Sequence, residues 1–164
     1  KFKFIKRNSN LLDIGSFPGG WSQVSSEIIS SGKILSVDLE NIQQIENVSF
    51  LKCNFLEEEA KTKILKFFEG NLDVVISDMA ANTTGNKTLD CIRTNQLCMD
   101  VVKFSSKYLK PKGVLVSKLF MGEDFIEIKK IANLKFRNVH FYKPEASRNE
   151  SKETYLHCAE LKTL

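Results

Sequence analysis

The sequence predicts a three-layer α/β domain: a mostly parallel sheet of seven strands with helices on both faces. Three observations predict it. Short apolar runs alternate with amphipathic stretches from end to end. The first apolar run ends in a glycine-rich turn, Gly15-Ser16-Phe17-Pro18-Gly19-Gly20, followed by a helical pattern. The run Leu72–Ser77, L-D-V-V-I-S, is apolar at nearly every position, as a strand buried on both faces requires.

The elements follow in order. Residues 10–14 form the first strand and residues 22–31 a helix. Residues 33–37 form the second strand, closed by Asp38, and Val48–Lys52 the third. Residues 57–68 are helical, with Ile64, Leu65 and Phe68 on one face. Leu72–Ser77 is the fourth strand. The longest helix covers residues 89–109 and is stopped by Pro111 and Gly113. Residues 114–119 form the fifth strand and residues 123–132 a helix. Phe136–Tyr142 and residues 154–159 are two final strands with no helix between them, joined by the polar stretch 145–152. That closing pair predicts one antiparallel strand at the end of the sheet.

The bulk numbers suit one domain over residues 1–164. The chain has 164 residues, 42% hydrophobic and 27% charged, as in ordinary globular proteins. No apolar run approaches the length of a membrane span. A net charge of +4 permits a polyanionic partner without requiring one. Cys53, Cys91, Cys98 and Cys158 form no C-x-x-C pair, so no zinc site is expected and the thiols read as reduced. His140 and His157 fall in late strands and receive no role. The chain starts close to its first strand without Met, and further N-terminal residues are expected.

Ligands of open α/β sheets bind beyond the carboxyl ends of the strands. Gly15, Gly19 and Gly20 stand there, but not as G-x-G-x-x-G. Pro18 lies inside the loop and Trp21 follows it, which points to an adenosine ligand without a pyrophosphate. S-adenosylmethionine is the candidate. Asp38 ends the second strand, where a carboxylate accepts ribose hydroxyls; its bland alternative is to cap its own turn. Asn54 ends the third strand, Asp78 the fourth and Lys118 the fifth. Lys118 interrupts the apolar run V-L-V-S-K-L-F, and lysines are almost never buried unpaired. If the fourth and fifth strands pair, Asp78 is its neighbour and the two form a functional candidate. After the fourth strand stands Asp78-Met79-Ala80-Ala81, not the Asn/Asp-Pro-Pro-aromatic pattern of amino-group methyltransferases. No cysteine follows the fourth or fifth strand as a covalent nucleophile would.

These residues resemble the FtsJ/RrmJ family of RNA ribose 2′-O-methyltransferases. The resemblance is carried by Leu12-Asp13-Ile14-Gly15 through Pro18-Gly19-Gly20-Trp21-Ser22-Gln23, by Val37-Asp38-Leu39, and by Ser77-Asp78-Met79-Ala80. It continues in Ser117-Lys118-Leu119-Phe120 with Gly122, in Lys143-Pro144-Glu145-Ala146-Ser147-Arg148 and in Ser151-Lys152-Glu153-Thr154-Tyr155. It covers nearly the whole chain in colinear order. It implies a Rossmann-like fold and S-adenosylmethionine as cofactor, with contacts at Gly15, Gly19, Gly20, Trp21, Asp38, Asn54 and Asp78. It implies catalytic roles for Asp78, Lys118 and Glu153, three members of a Lys-Asp-Lys-Glu tetrad. By spacing, the first lysine of that tetrad falls before residue 1. Asn54 stands where the family has a carboxylate, and Ala81 where it has a proline.

The form S-D-M-A-x-N followed by Thr84-Gly85 is similar to the branch acting on large-subunit ribosomal RNA, and suggests a uridine ribose as target. A tRNA-directed enzyme and a non-catalytic RNA-binding module are the alternatives. The implied protein is a monomer of the cytoplasm, or of the mitochondrial matrix, without metal or membrane. Lys1, Lys3, Lys6 and Arg7, and the basic residues around Lys143 and Arg148, are the expected RNA contacts.

Overall fold

A computed structural model describes residues 3–145, 148 and 150–162. Lys1 of the basic cluster, and Ala146 and Ser147 of the motif around Arg148, lie outside the described residues. The elements are β1 (Leu11–Ile14), α1 (Gly20–Ile28), β2 (Ile34–Asp38), β3 (Val48–Lys52), α2 (Glu58–Phe68), β4 (Leu72–Ser77), α3 (Lys87–Tyr108), β5 (Leu109–Phe120), α4 (Phe125–Lys135), β6 (Phe136–Tyr142) and β7 (Glu153–Leu161).

The seven strands form one sheet in the order β3-β2-β1-β4-β5-β7-β6. Strands β3, β2, β1, β4 and β5 run parallel to one another, and β7 is antiparallel to both β5 and β6. The antiparallel strand is therefore not at the end of the sheet, as the sequence predicts. β7 inserts between β5 and β6, and β6 takes the edge. The physical reason is in the burial: Leu156 and Cys158 of β7 are fully buried, whereas Arg137, Asn138 and His140 of β6 are exposed. The more apolar strand takes the central place.

Two apolar layers flank the sheet. Leu12, Ile14, Leu35, Val37, Val75, Leu115 and Leu119 pack with residues of α2, α3 and α4 on one face. Leu11, Ile34, Val74 and Ile76 pack with Ile29 and Trp21 beside α1 on the other. Alternating residues of each strand thus serve opposite layers.

Helix ends differ from the sequence expectation for local reasons. α3 begins earlier because the Asn86 side chain accepts from the Thr88 and Leu89 N–H groups. It ends at Tyr108, and β5 starts at once. Pro111 and Gly113 lie inside β5, where pairing with β4 is irregular between Leu72 and Val74 and a missing N–H is tolerated. α1 starts at Gly20, straight after Gly19, whose φ of 118° is open to glycine.

Phe136 is fully buried where α4 meets β6. Phe136→Ala is expected to lower stability by about 3–5 kcal/mol, read as a lower urea midpoint at unchanged slope.

Candidate active site

The sheet order reverses between β1 and β4, and ligands of such sheets sit at that switch point. A cleft of about 500 Å³ opens there, lined by Gly15, Asp38, Asn54, Asp78 and Met79 among others. Gly15 has φ 73°, and a Cβ on it would meet Met79 Cγ at 2.5 Å. The close approach of the two loops therefore needs glycine. Asp38 accepts the Phe17 N–H at 2.9 Å on Oδ2 and the Glu40 N–H at 2.8 Å on Oδ1. It closes its own turn and still faces the cleft. Each of its oxygens keeps a second lone pair for hydroxyl donors. Asn54 Oδ1 accepts from the Leu56 N–H at 3.1 Å, which holds the entry to α2. Apolar walls from Phe55, Met79 and Leu97 and acceptors at Asp38 and Asp78 suit a purine nucleoside carrying a positive charge.

Parallel pairing of Ser77 with Ser117 sets Asp78 beside Lys118. Lys118 Nζ lies 3.1 Å from Asp78 Oδ1, and its side chain is only 11% exposed. The lysine is neither free nor merely reaching for solvent. Tyr155, the register partner of Lys118 on β7, donates to Glu153 Oε1 at 2.7 Å and lies 3.3 Å from Asp78 Oδ1. Glu153 thus reaches the Lys118–Asp78 pair through Tyr155. Burial raises the Tyr155 pKa most, with the hydrogen bond to Glu153 and the charge of Asp78 adding to it. The phenol stays a donor at any physiological pH. Tyr155 escaped the functional reading of the sequence. Its signal is there: Glu153 and Tyr155 are two apart, so a strand points both to one face.

A second cluster lies beneath the cleft. The Ser22 hydroxyl donates to Asp13 Oδ2 at 2.5 Å, and the Ser22 and Ser36 hydroxyls are 2.5 Å apart. All three side chains are fully buried, and Asp13 Oδ1 has no hydrogen-bond partner. The cluster ties the first turn of α1 to β1 and β2. Burial pushes the Asp13 carboxyl up to about 7 from its ordinary 3.8. The bond from Ser22 opposes this shift, and the charges of Asp78 and Asp38 add to it.

Not every expected site residue is in the cleft lining. Gly19, Gly20 and Trp21 form the loop and the start of α1, beside the cleft. The Trp21 ring stands in a separate apolar cavity of about 420 Å³, where it packs on Tyr155 at 5.6 Å. Arg7 bonds Ser30 beyond α1, at the amino ends of the parallel strands and on the edge opposite Lys118. Lys143 and Arg148 are exposed between β6 and β7. Cys91, Cys98 and Cys158 are buried free thiols and Cys53 is half-buried. Among the described residues no group of three or more His, Cys, Asp or Glu is placed to hold a metal ion, and no helix is long and apolar enough to cross a membrane.

The Asp13 pKa makes a sign-definite prediction. Its folded value lies above its unfolded one, so its contribution is intact below about pH 4 and is lost as pH rises through 7. Asp13→Asn stays neutral and removes this term. The stability of the native protein minus that of Asp13→Asn is expected to fall between pH 5 and pH 8 in urea titrations.

Comparison with known proteins agrees with this geometry. The FtsJ-like methyltransferase family matches residues 1–161. Ribosomal RNA large subunit methyltransferase E of Pelagibacter ubique is 42% identical over 158 residues, spanning 96% of this chain and 78% of that protein. Its counterpart in Rickettsia akari is 42% identical over 162 residues, spanning 95% and 71%. Among solved structures, a ribosomal RNA methyltransferase of Plasmodium falciparum matches with TM-score 0.83 and 26% identity, over 96% of this chain and 89% of that one. Human methyltransferase-like protein 13 in complex with SAH matches with TM-score 0.69 at 14% identity, over 93% and 72%, which shows the fold alone. A match across nearly the whole chain, on a sheet that carries the corresponding motifs along its carboxyl edge, makes this protein a member of the FtsJ-like methyltransferase family.

Proposed function

We propose that the protein transfers a methyl group from S-adenosylmethionine to a ribose 2′-hydroxyl, of a uridine, in large-subunit ribosomal RNA. The observation that carries the chemistry is the Lys118–Asp78 pair at 3.1 Å, at the end of two paired strands and beside the cleft. The RNA class rests on relatives named for the large ribosomal subunit. Asp38, Asn54 and the Gly15 turn would hold the nucleoside of the cofactor, and Asp78 favours its cationic end. When bound, the cofactor supplies an electrophilic methyl group.

The protein must then make a poor nucleophile reactive. Lys118 would be the general base, its Nζ taking the proton of the attacking 2′-hydroxyl. Asp78 orients Lys118 and stabilises the ammonium that results. Tyr155 and Glu153 hold the open side of Asp78 and offer an acceptor to the ribose. Holding the ribose hydroxyl against Lys118 would supply much of the rate by positioning. Lys143, Lys152 and Arg148, on the segment leading into β7, are candidates for phosphate contact; Arg7, on the far edge, is not.

Labelled methyl transfer to large-subunit RNA tests this reading. Lys118→Ala is expected to lower turnover by about 10²–10⁴-fold with cofactor affinity retained. Unchanged turnover would exclude Lys118 as the base. RNA affinity is expected to fall steeply as salt is raised, measured by filter binding.

A further inference from the structure

β5 outruns its partner. The last parallel pair is Ser77 with Ser117, and β5 then continues through Lys118 and Leu119 to Phe120. On its other side β7 follows it to the end, pairing Lys118 with Tyr155 and Phe120 with Glu153. On the β4 side the backbone of Phe120 meets no strand. It meets Asn95, a fully buried side chain in the middle of α3. Asn95 Nδ2 donates to the Phe120 carbonyl at 2.9 Å, and the Phe120 N–H donates to Asn95 Oδ1 at 2.8 Å. One amide side chain thus does what a further residue of β4 would have done. The second amide hydrogen is turned to Cys91 Sγ at 3.6 Å, which fixes the orientation of the group.

The preceding residue of α3 does the matching task on the other loop. Thr94, also fully buried, accepts the Ala81 N–H on Oγ1 at 3.1 Å. Ala81 is three residues beyond Asp78, and Phe120 is two beyond Lys118. Two adjacent helix residues therefore bind both strand extensions just past the pair. We propose that Thr94 and Asn95 are positioning residues, which bracket the ends of β4 and β5 and so set the Asp78–Lys118 distance during methyl transfer. This rests on Lys118 and Asp78 being the reacting pair. Neighbouring helix positions Cys98, Val101 and Val102 pack the same layer with apolar atoms, so the polar pair stands where the two strand extensions need partners.

The test uses the full-length protein and labelled methyl transfer to large-subunit RNA. Asn95→Leu keeps the γ-branched shape, with bulkier methyl groups, and loses both bonds. It is expected to lower kcat about 10–100-fold while KM for the cofactor, and its calorimetric affinity, change less than about twofold. Thr94→Val is expected to act in the same direction. Asn95→Asp supplies an internal control. As a neutral carboxylic acid it donates to the carbonyl and accepts from the N–H, but as a carboxylate it can only accept. Its kcat relative to the native protein is expected to rise as pH falls from 8 to 5.5. The proposal is overturned if Asn95→Leu retains full kcat, if its kcat and cofactor binding fall together in step with folded protein, or if the Asn95→Asp ratio is flat with pH. Lys118→Ala, run alongside, separates the two levels. If it keeps full turnover, the assignment of the reacting pair fails whatever Asn95 does; if it is inactive and Asn95→Leu is fully active, only the bracket fails.

Discussion

The register between β4 and β5 is the constraint on which the site depends. A strand pointing residue by residue to opposite faces leaves no freedom once one pair is set. With Ser77 opposite Ser117, the next residues out are Asp78 and Lys118, and their side chains meet at 3.1 Å. A slip of one residue would turn Lys118 into the apolar layer with Leu115 and Leu119. The same apolar layers that stabilise the sheet therefore fix the lysine. Desolvation of the amine is affordable because a carboxylate accompanies it.

The site also concentrates negative charge. Asp13, Asp38 and Asp78 approach one another where β1, β2 and β4 end, and the last two raise the pKa of the first. Three carboxyl groups in one corner favour any cation that enters. Among the described residues, Asp78 alone of the three has a cationic side chain in ion-pair contact. Asp38 is held by backbone N–H groups and Asp13 by a serine hydroxyl. Burial of Asp13 keeps its carboxyl largely protonated below about pH 7, which lowers the negative charge of the corner there.

Much of this was legible in the sequence, and the missing parts share a cause. Strand and helix identities follow from periodicity, and the placing of Asp78 next to Lys118 needed only the guess that β4 and β5 pair. The place of β7 did not follow, because strand order is decided by which strand buries more apolar surface across the whole sheet. Tyr155 and Asn95 were missed for a related reason. A tyrosine in a strand and an asparagine in a long helix have ordinary local readings, and their roles arise from partners far along the chain at Asp78 and Phe120. Asp13 receives no role of its own from the sequence, and only the approach of α1 and β2 shows what it holds.

The central position of β7 has a consequence for the order of synthesis. β7 follows every other strand of the sheet, yet it lies inside it, and it brings Glu153 and Tyr155. A nascent chain that has left the ribosome only as far as β6 already owns the glycine turn, Asp38 and the Lys118–Asp78 strands. It has no way to join β6 to β5, and its reacting edge lacks two of its polar groups. The sheet closes only once β7 has been made, because β6 reaches β5 through it alone.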